Sequence, residues 1–157
     1  MKAAFRHAFI LAFFVAGPAQ PAGGDEPRER ASAPADPIVE KAQRANAEKD
    51  WSRSQEIMRD ALLKDPRNAD YHSLYAYAIR MGDKPNLDIV FKHYNEALRI
   101  DSKHRGAHEY IGEAYLMVGN LPKAKEHLSA LDRICFFGCD EYSMLKKAVA
   151  EFEAKGK

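Results

Sequence analysis

This chain is short of the residues that would mark it as a catalyst. Its 157 residues include two cysteines and one tryptophan, and beyond Pro37 glycine and proline are sparse within the apolar-patterned segments. No glycine-rich phosphate loop is present, and no nucleophile stands beside a base in a pattern that would activate it. "HEYIG" (108–112) is only half of a zinc-protease signature, because Gly112 stands where the second histidine belongs. No stretch sustains the period-2 alternation that a half-buried strand requires. Charge is balanced, with 24 basic and 23 acidic residues and a net charge of +1. Without a basic excess to neutralise phosphates, nucleic acid is not an expected partner. Neither an enzyme nor a cofactor protein is expected.

The apolar run "AFILAFFVA" (8–16) is nine residues long, where a membrane span needs about twenty. It follows Lys2 and Arg6 and precedes the small residues "GPA" (17–19), the order of an export signal cleaved after Ala19. No cysteine follows the run, so no lipid anchor is available and no stable membrane attachment is expected after cleavage. Loss of residues 1–19 takes away Lys2 and Arg6 and moves the net charge from +1 to −1. An exported chain would enter a compartment that permits disulfides. Residues 20–36, "QPAGGDEPRERASAPAD", hold no large apolar side chain to offset their ordering entropy and read as a flexible linker. Folding is expected to start near Pro37, a residue suited to a first helical turn.

From there the pattern is helix after helix, in pairs that resemble one another. "DWSRSQEIMRDALLKDP" (50–66), "NLDIVFKHYNEALRIDS" (86–102) and "NLPKAKEHLSALDRICF" (120–136) each open on Asp or Asn, good N-caps. Each then places apolar or small residues at helical spacing: Ser54, Met58, Ala61 and Leu62; Val90, Tyr94, Ala97 and Leu98; Ala124, Leu128 and Leu131. The preceding helices recur as well, with Ala42, Ala76 and Gly112 in one small-residue slot. Ala42 to Ala76 is 34 residues and Ala76 to Gly112 is 36; Ser54 to Val90 is 36 and Val90 to Ala124 is 34. One two-residue insertion in "MGDKPNL" (81–87) accounts for all four intervals.

Paired helices repeating every 34 residues or so resemble the tetratricopeptide repeat family. The fit is best over 105–138, through Gly112, Tyr115, Gly119, Ala124, Leu128 and Leu131. Over 69–104 it keeps Tyr75, Ala76, Tyr94 and Ala97, with Ser102 in place of the terminating proline. Over 35–68 it is loosest, Lys41 and Ala42 replacing Leu-Gly while Ala61 and Pro66 remain. "DEYSMLKKAVAEFEAK" (140–155) puts Tyr142, Leu145, Val149 and Phe152 on one stripe and reads as a capping helix over 139–155. The expected architecture is an all-α solenoid of three helical hairpins plus this cap, spanning 37–155.

The resemblance implies a concave groove lined by first-helix residues: Gln43, Asn46 and Ala47; Ser73, Tyr77, Arg80 and Met81; Glu109, Glu113, Leu116 and Met117. It further implies a protein or peptide partner and a role as scaffold, adaptor or assembly helper, in a small exported protein of the bacterial periplasm. The clamp with which some family members hold a carboxylate chain end is lacking, since Val39, Ser73 and Glu109 occupy its places. An acidic terminus is therefore a poor ligand. Arg80 opposite Glu109 and Glu113 reads equally as an internal ion pair of little energetic worth, and Glu109 and Glu113 as solvated carboxylates.

Cys135 and Cys139, in "ICFFGCDEY" (134–142), span a helix–turn–helix corner that Gly138 allows to reverse. Three readings are open. A disulfide is the default for neighbouring cysteines in an exported protein. A redox dithiol would want closer spacing and a more electropositive setting than Phe136, Phe137, Asp140 and Glu141 provide. A soft-metal site, such as one for Cu(I), would want a third ligand, for which His127 is the candidate. His104 and His108 read as a solvated pair, Trp51 as packing into the turn between the first two helices, and the tyrosines and methionines as packing between repeats.

Overall fold

The first described helix starts where the chain offers a cap and a proline together. In the computed structural model, which describes residues 36–156, Asp36 accepts the Ile38 N–H at 2.8 Å and Pro37 takes the first position of α1 (Pro37–Ala47). A missing N–H is harmless there, because that position has no intrahelical acceptor. The expected export signal and nearly all of the expected linker lie outside the described residues. Six helices follow: α2 (Trp51–Lys64), α3 (Ala69–Met81), α4 (Leu87–Ile100), α5 (Arg105–Met117), α6 (Leu121–Ile134) and α7 (Asp140–Lys155). No strand occurs among the described residues, and no helix there is long and apolar enough to cross a membrane.

The sequence repeat is repeated in the backbone. Asp50, Asn86 and Asn120 cap α2, α4 and α6, each accepting the N–H of the third residue onward, at 3.0, 3.2 and 3.2 Å. Asp65, Asp101 and Cys135 close the same three helices in the same way, each donating its N–H to the carbonyl four residues back. The loops within hairpins one and three are 48–50 and 118–120, whereas that of hairpin two is 82–86, two residues longer. The positive-φ position that ends the first helix of a hairpin falls on Lys49 (58°) in one case and on Gly119 (75°) in the other.

Which helices meet fixes the curvature. Each helix packs on the next in sequence, and α1, α3, α5 and α7 also pack on one another in turn; α2, α4 and α6 do not touch among themselves. Close stacking on one side and divergence on the other bend the array, so the first helices line its concave face. The core is segmented accordingly. Ala42, Met58, Ala61, Tyr71 and Leu74 join α1, α2 and α3; Ala76, Ile79, Val90, Tyr94, Ile111 and Ala114 join α3, α4 and α5; Ala124, Leu131, Leu145 and Val149 join α6 and α7. Met58, Ile111, Leu131 and Leu145 are fully buried, each contributing about 2 kcal/mol by removal from water.

The small-residue slot has a packing reason. Ala42 and Ala76 are wholly buried, and at Gly112 a Cβ would lie 2.6 Å from Leu145 Cδ2. Leu145 and Val149 of α7 are buried, with Tyr142 and Phe152 half-buried beside them, so the last helix rests on α5 and α6 by the expected stripe. The Trp51 ring stands edge-on to Tyr77 of α3, centroids 6.1 Å apart, and so links the first two hairpins.

Candidate functional site

The groove residues implied by the resemblance all sit on α1, α3 and α5, but differ widely in exposure. Gln43, Ala47, Met81 and Met117 are exposed; Asn46, Tyr77, Glu113 and Leu116 are half-buried; Ser73, Arg80 and Glu109 are buried. Gln43 and Ser73 share a cavity of about 400 Å³ with Val39, Asp70, Tyr110 and Glu141. Tyr77 lies 4.7 Å, centroid to centroid, from Tyr110, so an aromatic row runs from Trp51 through Tyr77 to Tyr110. Tyr110 and Glu141 belong to this surface yet were not expected there. The α7 helix carrying Glu141 reads as a cap in sequence, but by packing on α5 it occupies the place of a further first helix.

Arg80 is the centre of the groove's electrostatics and forms an internal ion pair, as its place opposite the carboxylates suggests, but with Glu113 and not with Glu109. Its Nη2 donates to Glu113 Oε2 at 2.7 Å, its side chain is 7% exposed, and its guanidinium lies 5.5 Å from the centre of the Tyr77 ring. Glu113 is half-buried, so removing it would strand the buried charge of Arg80. Nη1 also approaches the Met117 sulfur at 4.0 Å.

Glu109 overturns the reading of a solvated carboxylate. It is 3% exposed, and its Oε2 has no hydrogen-bond partner among the described residues. Burial, then the charges of Glu113 and Glu141, push its pKa up to about 8 against the opposing pull of Arg80. Ser73, one repeat earlier, is 1% exposed, and its Oγ is likewise unpartnered among the described residues. The position equivalent in the first repeat is Val39. Burial also raises the Tyr77 hydroxyl, and it pushes Tyr110 up to about 12.

His104 and His108 are not the solvated pair that their spacing suggests. His104 caps α5, its Nδ1 accepting the Ala107 N–H at 3.1 Å while Nε2 donates to Asp70 at 3.0 Å. His108 is buried; its Nε2 donates to the Ser102 carbonyl at 3.2 Å, leaving Nδ1 to accept from His127 Nδ1 at 2.9 Å. The same device occurs one repeat earlier, where His72 donates to the Pro66 carbonyl at 3.0 Å and meets His93 Nδ1 at 2.8 Å. These pairs escape a reading of the sequence that seeks ligands within one helix, although the intervals reveal them: His72 to His108 is 36 and His93 to His127 is 34, those of the repeat itself. Burial is the first cause of the depression of His93 and His127, each to about 4, and a neighbouring histidine the second.

Cys135 and Cys139 are joined by a disulfide with Cα atoms 5.6 Å apart. Cys135 ends α6 and Cys139 caps α7, so the bond closes the corner between them. A bonded pair offers no thiolate to a metal or substrate. His127 is engaged with His108; the carboxylate of Glu141 is the group near both sulfurs. The metal reading therefore loses its third ligand as well as its thiols. Phe136 and Phe137, within the closed loop, are 85% and 97% exposed.

No family model matches the sequence, and no curated protein matches it either. Solved structures do. The Yersinia enterocolitica type III secretion translocator chaperone SycD superposes with a TM-score of 0.63 at 12% identity, over 74% of this chain and 79% of that one. PcrH in complex with the chaperone binding region of PopD gives 0.61 at 14% identity, over 74% and 86%. The TPR2B domain of yeast Sti1, in a complex with pHsp70, gives 0.64 at 16% identity, over 75% and 94%. With the stacked hairpins, these likenesses establish a tetratricopeptide-repeat fold.

Proposed function

We propose that the protein is a non-catalytic interaction module, an adaptor, scaffold or assembly helper acting after export, which holds a segment of another polypeptide along the concave face of α1, α3 and α5. The observation that carries this reading is the groove's composition and exposure. It presents an aromatic row, exposed Met81 and Met117 at one end, and buried polar atoms beneath. Adaptable apolar side chains beside anchored polar groups suit a peptide surface. Two of the similar structures are complexes with part of another protein: PcrH with the chaperone binding region of PopD, and SycD with a peptide of the translocator YopD. The charge pattern of the leader sequence supports the export part of the reading.

The test is site-specific photocrosslinking in the cell of origin. A photoreactive phenylalanine analogue at Tyr77, in the groove, is expected to capture one defined protein, whose crosslinked peptide mass spectrometry then identifies. The same analogue at exposed Asn95 on α4 is expected to capture none. Capture from position 95 and not from 77 would place the working surface on the other side.

A further inference from the structure

The groove's charges do not cancel, and the residue left over is specific. Two further carboxyl groups, Glu113 and Glu141, bear on that of Glu109. Glu113 is matched by Arg80 at 2.7 Å and Glu141 by Arg105 at 3.6 Å. Glu109 has no cation of its own among the described residues, although it is the most buried of the three. A buried carboxyl without a partner is unfavourable, and a folded chain ordinarily pairs it or replaces it. A second group makes the same point independently. Ser73, at the equivalent place one helix earlier, lines the 400 Å³ cavity and keeps its Oγ unpartnered at 1% exposure. Adjacent first helices thus hold an acid and a neutral acceptor, both lacking a donor, in the face assigned to the partner.

We propose that the partner enters this groove through a basic side chain, an arginine or lysine, taking Glu109 as its counter-ion and Ser73 as a neighbouring acceptor. This rests on the groove reading above and names the chemistry of the occupant. A cation is the complement to the unpartnered carboxyl; of the other charged groups that line the adjoining cavity, His104 pairs with Asp70 and Arg105 with Glu141, and Lys103 stands beside Asp101, so Glu109 is the acid left without a cation among the described residues. Arginine suits the place better than lysine, since its planar fork can reach two acceptors at once and sheds its hydration more readily. In the free protein Glu109 Oε2 is covered, so the side chain turns into the groove as the partner arrives and gives up its proton to solvent on pairing. Binding then releases a proton near neutral pH and strengthens as pH rises towards 8.

The experiment is selection of a phage-displayed library of random dodecapeptides on the purified protein, run in parallel on Glu109→Gln. Glutamine resembles the protonated acid in shape and lacks its charge, so that variant is expected to fold normally. The wild type is expected to enrich peptides with arginine or lysine at a fixed place among apolar residues. Replacing that residue by norleucine in a synthetic copy should weaken binding about tenfold or more, the worth of a charge-assisted hydrogen bond. Glu109→Gln should lose both the basic preference and the rise of affinity between pH 6 and 8. Ser73→Ala, which keeps the charge, should show a smaller loss. Peptides enriched without a basic residue, or a basic preference unchanged in Glu109→Gln, would overturn the inference and leave the groove reading standing. No enrichment of any peptide would overturn both.

Discussion

At Gly112 the contact is with a side chain, Leu145 of the last helix, and the distance leaves no room for a methyl group. Gly112→Ala must push α7 outward or force Leu145 off its rotamer, at about 1–3 kcal/mol. Chemical denaturation should show that loss, and exchange of α7 amides should rise more than that of α1. Lys49 is the opposite case. It adopts a left-handed conformation at φ 58°, the place Gly119 holds in the third hairpin. A side chain there costs about 1–2 kcal/mol, partly offset by the greater freedom that glycine has when unfolded. Lys49→Gly should therefore stabilise the protein by a few tenths to about 1 kcal/mol, and a lower denaturation midpoint would contradict the assignment of strain.

Among the elements, α7 is an end helix, with neighbours on one side only among the described helices. It packs on α5 and α6 and has no hairpin partner of its own among the described helices. The Cys135–Cys139 bond compensates at the corner where α7 begins. So short a closed loop contributes about 2 kcal/mol. Changing both cysteines to serine should reduce stability by about that amount while a groove-bound peptide keeps its affinity. A loss of binding with stability intact would instead assign the pair a direct role.

The helices themselves were legible in the sequence because each carries its own start and stop. Asp50, Asn86 and Asn120 announce the caps, and the two unequal intervals locate the long loop at 82–86. The groove was legible only as a set of positions. Whether a polar residue on it is solvated or buried depends on how closely the next helix approaches, and nothing local states that. Glu109 and His108 read as solvated in sequence for this reason, although both are buried. Tyr110 and Glu141 were overlooked because their place in the groove follows from the curvature of the stack and from α7 standing on α5. The paired histidines lie on different helices and become visible only when the repeat is laid over itself.

For the whole molecule, the perturbed groups set opposing limits on stability against pH. An unfolded histidine takes up a proton near 6.5, whereas His93 and His127 resist until about 4. Their contribution is complete above about 6.5 and is lost as pH falls towards 4. Glu109 acts in reverse: unfolded it ionises near 4.5, folded near 8, so its contribution is complete below 4.5 and is lost as pH rises to 8. Two histidines outweigh one carboxyl on the acid side and nothing balances Glu109 on the alkaline side. Tm should therefore peak at about pH 6–7. Glu109→Gln should remove the alkaline decline and keep the acid one, and an unchanged alkaline limb in that variant would refute the assignment.

The groove also belongs to the scale of the whole molecule, since no single helix makes it; it arises from first helices stacked more closely than second ones. The direct measurement is amide hydrogen exchange on the protein alone and with a bound peptide from the library, or with the captured partner. Protection is expected on α1, α3 and α5, centred on Ser73–Arg80 and Glu109–Leu116, with the outward faces of α2, α4 and α6 unchanged. Protection confined to those outer helices, or to the Phe136–Phe137 loop, would contradict a concave binding surface.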